Sequence, residues 1–300
     1  MPAPSSFGPG PALRAALAGA VDYASLFPPA KLGMATAVRN HASYRLGAHQ
    51  AAVGRFVVPV ARLPEFEEAY AGLHCTEQSG WGLSALGTSD PAADGPPIAA
   101  FNARHAAARI VSFEIKPESA GHVARLSALP AELEVWLEVP AEGEMTPILQ
   151  EAARLGFGAK LRMGGVTPEG FPAPDRVIQF YRECLRLGLR AKATAGLHHA
   201  LAGIYPLTYE PGSATGPMYG FLNLILTAAL LQDGAADAEA IELLRDGDAT
   251  HFRCSPDALE WKKRPVSTAQ LERVRRTLVR AFGSCSFTEP IEGLQDLGWL

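Results

Sequence analysis

The chain has 300 residues, of which 48% are hydrophobic and 19% charged, and its formal net charge is -4. That is an ordinary globular balance, long enough to bury a sizeable core. It excludes the basic surface that nucleic acid requires, and the longest apolar stretch, Phe221 to Leu231, is too short to span a bilayer.

The four cysteines, Cys75, Cys184, Cys254 and Cys285, include no Cys-x-x-Cys pair, which argues against structural zinc. Four in a chain this long do not make a disulfide scaffold, so a reducing cytoplasm is the expected location. Leu13 to Val21 is apolar and Ala18-Gly19-Ala20 has the look of a signal-cleavage site, but Arg14 interrupts the run and no basic segment precedes it.

Residues 1–10 are rich in Pro, Gly and Ser and are expected to form a disordered tail, followed by one domain over 11–300. Strand-like runs then occur at Val21–Phe27, Gly54–Val60, Trp81–Leu86, Arg109–Lys116, Leu133–Val139, Gly158–Met163 and Arg190–Ala195. Helical patterns separate them at Leu63–Leu73, Ser119–Ser127, Pro147–Leu155, Asp175–Leu187 and Pro217–Leu231. Strand–helix alternation implies a parallel sheet, and seven such units point to a closed (β/α)8 TIM-barrel-like α/β fold. The closing unit is expected to be irregular. Phe252–Val266 reads as a hairpin, Ser267 and Gln270 as a capping box for a helix stopped by Gly283, and Ser284–Pro290 as a last strand.

One internal repeat fits this pattern. Arg154-Leu155-Gly156-x-x-Ala159-Lys160 recurs as Arg186-Leu187-Gly188-x-x-Ala191-Lys192, and Glu151 matches Glu183. Each copy ends a helix at a glycine and starts a strand that carries a lysine at the same depth.

Side chains alternate faces along a strand, so the apolar faces turn Lys160, Arg162, Lys192 and Thr194 into the barrel, together with Ser112, Glu114 and Lys116 and with Trp136 and Glu138. Buried charges are costly unless paired or used, and barrel active sites stand at the carboxyl ends of the strands. A substrate site is therefore expected there, and a charge-paired plug is the alternative. Lys160, Arg162 and Lys192 suit a carboxylate or phosphate, with Gly164-Gly165 exposing backbone N–H groups and Asp22 adding a carboxylate or capping a helix. His198 or His199 serves as a general acid/base or holds a metal. The long glycine-bearing segment Ala200–Gly216 reads as a lid or a surface loop.

Asp22–Pro29 (DYASLFPP), Lys160–Gly165 (KLRMGG), Lys192–His199 (KATAGLHH) and Phe282–Pro290 (FGSCSFTEP) resemble a family of uncharacterised bacterial proteins. Lys192-Ala193-Thr194-Ala195-Gly196 is also similar to the Schiff-base lysine strand of deoxyribose-phosphate aldolases, and Lys160-x-x-x-Gly164-Gly165 resembles their second lysine. The second resemblance implies a lyase or aldolase acting on a small phosphorylated or carboxylated carbonyl compound, with Lys192 as nucleophile. Lys160 and Arg162 are expected to favour its neutral amine, while Glu138, Glu114 and a histidine move protons. No cofactor is expected in this reading. A metal-dependent lyase or isomerase, its divalent ion held by the carboxylates and a histidine, is an alternative. A barrel that binds a small anionic metabolite without turnover is another. The apolar Tyr219–Leu231 helix is read as a core helix or a contact between subunits.

Overall fold

Strand and helix alternate from the first described segment: α1 (Pro11–Leu17), β1 (Val21–Tyr23), α2 (Met34–Leu46), β2 (Val53–Pro59), α3 (Leu63–Ala71), β3 (Trp81–Leu86), α4 (Pro91–Arg104), β4 (Ala108–Ile115), α5 (Ala120–Ala124), β5 (Glu134–Glu138), α6 (Thr146–Leu155), β6 (Gly158–Arg162), α7 (Pro174–Leu187) and β7 (Ala191–Thr194). These ranges come from a computed structural model, which describes residues 10–74, 77–78, 80–88 and 90–300. After β7 the chain leaves the barrel. β8 (Gly203–Pro206) and β9 (Thr215–Met218) form an antiparallel hairpin, and α8 (Phe221–Gln232) and α9 (Asp237–Arg245) follow it. A small antiparallel sheet of β10 (Phe252–Cys254), β11 (Ala258–Trp261) and β12 (Arg264–Ser267) precedes α10 (Thr268–Thr277). The chain then re-enters the barrel as β13 (Val279–Ser284) and finishes with α11 (Thr288–Asp296).

Eight strands close into one parallel barrel in the order β1-β13-β7-β6-β5-β4-β3-β2. The expected (β/α)8 fold is thus the observed one. The two copies of the repeat end as their sequence predicts. Gly156 and Gly188 have φ of 71° and 66°, a region that glycine enters without Cβ strain. Phe157 N donates to Ala152 O and Leu189 N to Cys184 O, the long bond of a Schellman cap in each case. The strands that follow lie side by side, with Lys160 in register with Lys192.

Alternation also sorts β1. Tyr23 points outward into an aromatic layer, 5.9 Å from His41 and 6.1 Å from Phe56, while Asp22 turns inward. Burial pushes His41 down to about 3, with Arg45 adding to the effect, so His41 packs here as a neutral ring.

The barrel's closure differs from expectation. The helix that starts at the Ser267–Gln270 capping box ends at Thr277, and Gly283 lies inside β13. A Cβ on Gly283 would stand 3.0 Å from Thr194 Oγ1, so this glycine serves a close strand contact and not a helix stop. Ser284–Pro290 does not supply the last strand: β13 ends at Ser284, and Thr288 opens α11. Phe252–Val266 holds three strands where a hairpin was expected. The first strand stops at Tyr23, short of Phe27. Four helices, α1, α2, α4 and α11, escaped the sequence reading. In α4 the Pro96-Pro97 pair reads as a breaker, yet the helix runs through it from a first turn capped by the Asp90 side chain. α8 is buried along Phe221–Leu231, and its neighbours include α7, α9, α10, β12 and β13 of the same chain. The expected disordered tail falls on residues 1–9, outside the described residues, as does Cys75.

Trp136, from β5, fills the barrel's middle with no exposure to solvent. Its register partner on β6 is Gly158, where a Cβ would lie 2.4 Å from the indole ring. A methyl group there must displace the indole or the strand. We expect Gly158→Ala to destabilise the protein by about 1–3 kcal/mol in urea unfolding, although alanine is elsewhere the more favourable residue.

Candidate functional site

Above Trp136 five charged side chains converge on the barrel axis. Glu114 is the hub. Its Oε1 accepts from Lys192 Nζ at 2.5 Å and from Ser84 Oγ at 2.6 Å, and its Oε2 accepts from Lys160 Nζ at 3.0 Å. Ser112 Oγ supports Ser84 from below at 2.7 Å. Lys160 also pairs with Glu138 at 2.8 Å, and Lys192 with Asp22 Oδ2 at 2.6 Å in ion-pair contact without hydrogen-bond alignment. Asp22 Oδ1 accepts from the backbone N–H of Arg55 at 2.7 Å. The lysines and Glu114 are at most 3% exposed.

Burial alone raises a carboxyl and lowers an amine. At Glu114 burial is outweighed by Lys192 and Lys160, which hold it far below the usual carboxylate range. At Lys160 burial is outweighed by Glu114 and Glu138, which raise it. Both groups are therefore charged in the fold. Three carboxylates (Asp22, Glu114 and Glu138) meet two ammonium groups in the inner cluster, and the Arg162 guanidinium on the wall of the same cavity is the third cation. Lys192 touches carboxylates, whereas the sequence reading placed Lys160 and Arg162 next to it as like charges.

The cluster forms the floor of a cavity of about 270 Å³, whose wall includes Arg162, Thr194, Ala195, His198 and Cys285. Arg162 stands at the mouth and is exposed. Its Nε donates to Gly164 O at 3.0 Å, and its two terminal nitrogens have no partner among the described residues. A side pocket of about 100 Å³, lined by Gly165, His199, Tyr209 and Glu289, shares Arg162, Ala195 and His198 with the main cavity. Ala195, the first residue after β7, has φ of 63° although it carries a Cβ, a conformation that costs energy and turns the chain over the cavity.

The sequence-derived residues sort as follows. Asp22, Glu114, Glu138, Lys160, Lys192, Arg162, Thr194 and His198 line one cavity. Gly165 and His199 border the side pocket. Gly164 borders neither, because it packs against Gly196 so closely that a Cβ would stand 2.8 Å from the Gly196 Cα. The two histidines differ. His199 stacks on Tyr205 with ring centroids 3.5 Å apart, and burial pushes it down to about 4 with His198 adding to the effect. His198 Nδ1 lies 3.1 Å from Glu289 Oε2 and 3.2 Å from Ser284 Oγ. Burial disfavours its charge, but Cys285 and Glu289 overcome that and raise it to about 9. Tyr209, at the tip of the β8–β9 hairpin, donates to the same Glu289 at 3.0 Å. Sequence reading missed Cys285, Glu289 and Tyr209. The signal was the Cys285-x-x-x-Glu289 spacing, which belongs to a strand-to-helix turn at the barrel's top.

Among the described residues no three His, Cys, Asp or Glu side chains are grouped so that they could hold a metal ion. Asp22, Glu114 and Glu138 converge on ammonium groups instead. No helix among them is long and apolar enough to cross a membrane.

No protein-family model and no curated protein matches the chain. Among solved structures it is similar to the catalytic domain of CcCel6A complexed with p-nitrophenyl β-D-cellotrioside. The identity is 15%, the match covers 70% of this chain and 68% of that one, and the TM-score is 0.26. A likeness that slight carries no argument about the site.

Because the folded pKa of His198, about 9, lies above its unfolded value near 6.5, its contribution to stability is fully present below about pH 6.5 and is lost as pH rises through 9. The integrated effect is roughly 3 kcal/mol at most. Urea unfolding at pH 6 and pH 10 should show a loss of stability that His198→Asn abolishes. An equal loss in both proteins would assign it to another group.

Proposed function

We propose that the chain is an enzyme of the lyase or aldolase type acting on a small carbonyl compound that carries a carboxylate or phosphate. The observation that carries this reading is the pair of buried lysines at matched depth on β6 and β7, both on Glu114, at the base of a cavity at the carboxyl ends of the strands. Lysine at such a position forms a Schiff base with a carbonyl carbon when it is deprotonated.

Asp22, at 2.6 Å with its Oδ2 otherwise unpartnered, is the group that takes the proton from Lys192 as a carbonyl compound enters, while Glu114, held ionised by both lysines, stays a carboxylate. The free amine then attacks the carbonyl carbon. The carbinolamine hydroxyl leaves as water with the proton returned by Asp22. At rest Asp22 and Glu114 hold Lys192 as ammonium, so the amine is freed only by proton transfer when the substrate enters. Lys160 stays protonated between Glu114 and Glu138 and faces the negative charge that develops on the substrate. The free terminal nitrogens of Arg162 suit bidentate contact with the substrate's anionic group. His198, tied to Glu289 and lining the cavity beyond the end of β7, is a further proton donor or acceptor. A cavity of about 270 Å³ suits a compound smaller than a drug-sized ligand.

Borohydride reduction with a panel of small aldehydes and keto acids tests this reading. We expect a stable adduct on the peptide that contains Lys192, lost in Lys192→Met. Arg162→Ala should weaken substrate binding about tenfold, the scale of one charge-assisted contact. If no cluster lysine is labelled across the panel, the proposal fails; a bound anion recovered unchanged would then make this a binding barrel.

A further inference from the structure

At the opposite end of the barrel lies an open hollow of about 500 Å³, bordered by Arg14 of α1, Arg275 and Arg276 of α10, and Arg280 of β13. One carboxylate, Glu272, borders it as well. Arg14, Arg276 and Arg280 have no hydrogen bond or salt bridge among the described residues. Arg275 is 8% exposed. It donates to Val279 O at 2.9 Å and to Ala18 O at 2.8 Å, both backbone carbonyls, while its buried Nε has no partner. A chain with a net charge of -4 thus collects four guanidinium groups and one carboxylate in one depression.

Ordinary structural reasons explain only part of this. Cations in the last turn of α10 complement the negative end of the helix, which accounts for Arg275 and Arg276. Arg14 and Arg280 come from other elements and repel them. Glu134 on the barrel floor feels the charge of Arg280, but its carboxylate is directly engaged by Arg55 and by Arg190 at 3.0 Å. Burial lowers Arg275 to about 10, and the charge of Arg280 adds to the effect. Planar guanidinium forks from three elements around one depression suit oxyanions with more than one negative charge.

We propose that this hollow is a second anion-binding site, distinct from the cavity at the strands' carboxyl ends, that takes a compact polyanion bearing phosphate or several carboxylates. Its occupant ties α1, α10 and β13 together and so stabilises the fold when bound. The proposal does not depend on the reaction at the other end of the barrel.

Thermal unfolding of the full chain, with pyrophosphate or citrate against chloride at matched ionic strength, tests it. At least one polyanion should raise the Tm saturably above the chloride control, and the two arms separate phosphate from polycarboxylate chemistry. Arg14→Ala/Arg276→Ala, both exposed positions, should weaken binding in calorimetric titration by about tenfold or more. Arg280→Ala provides an independent second variant with the same expected effect. Arg162→Ala should bind as the unaltered protein does. A shift no larger than that in chloride would overturn the proposal. So would a shift that survives both hollow variants or disappears in Arg162→Ala.

Discussion

A carboxylate sealed inside a barrel is tolerated only where cations and donors surround it, and Glu114 meets that condition through residues 46 and 78 positions further along the chain. Moving an ion from water to the interior costs several kcal/mol even after relaxation. Two ammonium groups and a serine hydroxyl offset the cost, and Asp22 and Glu138 in turn hold the ammonium groups in place. None of these contacts is available within one βα unit. Only closure of β1 and β13 onto the rest of the sheet brings Asp22 to Lys192, so the charge cluster and the barrel topology specify each other.

The barrel interior is layered. Glu134, Trp136 and Glu138 share one face of β5, while Arg190 and Lys192 share one face along β7. The lower layer is rich in arginine, with Arg55 and Arg190 on Glu134. The upper layer is rich in carboxylates. Trp136 lies between them, its ring 5.7 Å from the Arg190 guanidinium carbon and 5.6 Å from Lys192 Nζ. Cation–π attraction at both layers helps to fix the indole.

Much of this was legible in the sequence. Strands β3 to β7 follow from apolar alternation, and the repeated Arg-Leu-Gly helix ends placed Lys160 and Lys192 at equal depth before any coordinates. Alternation also turned Glu114, Glu138, Arg162 and Thr194 inward. What was hidden has physical reasons. The helix ends at Thr277 without a glycine, and only Leu278 separates it from the last strand, so the two read as one element. The Pro pair masked α4. Asp22 occupies a three-residue strand, too short for a face to be assigned, so its place in the site and a helix-capping role could not be told apart from sequence. The role of His198 depends on Glu289, which reaches it from the opposite side of a turn that sequence reading took for a strand.

The central claim is that Glu114 and Lys192 are energetically coupled through a buried contact, not merely near each other. A double-mutant cycle of Glu114→Gln and Lys192→Met on the unfolding free energy measures this directly. The account predicts a coupling of roughly 1–3 kcal/mol. A coupling within about 0.5 kcal/mol of zero, the range of independent sites, would contradict it.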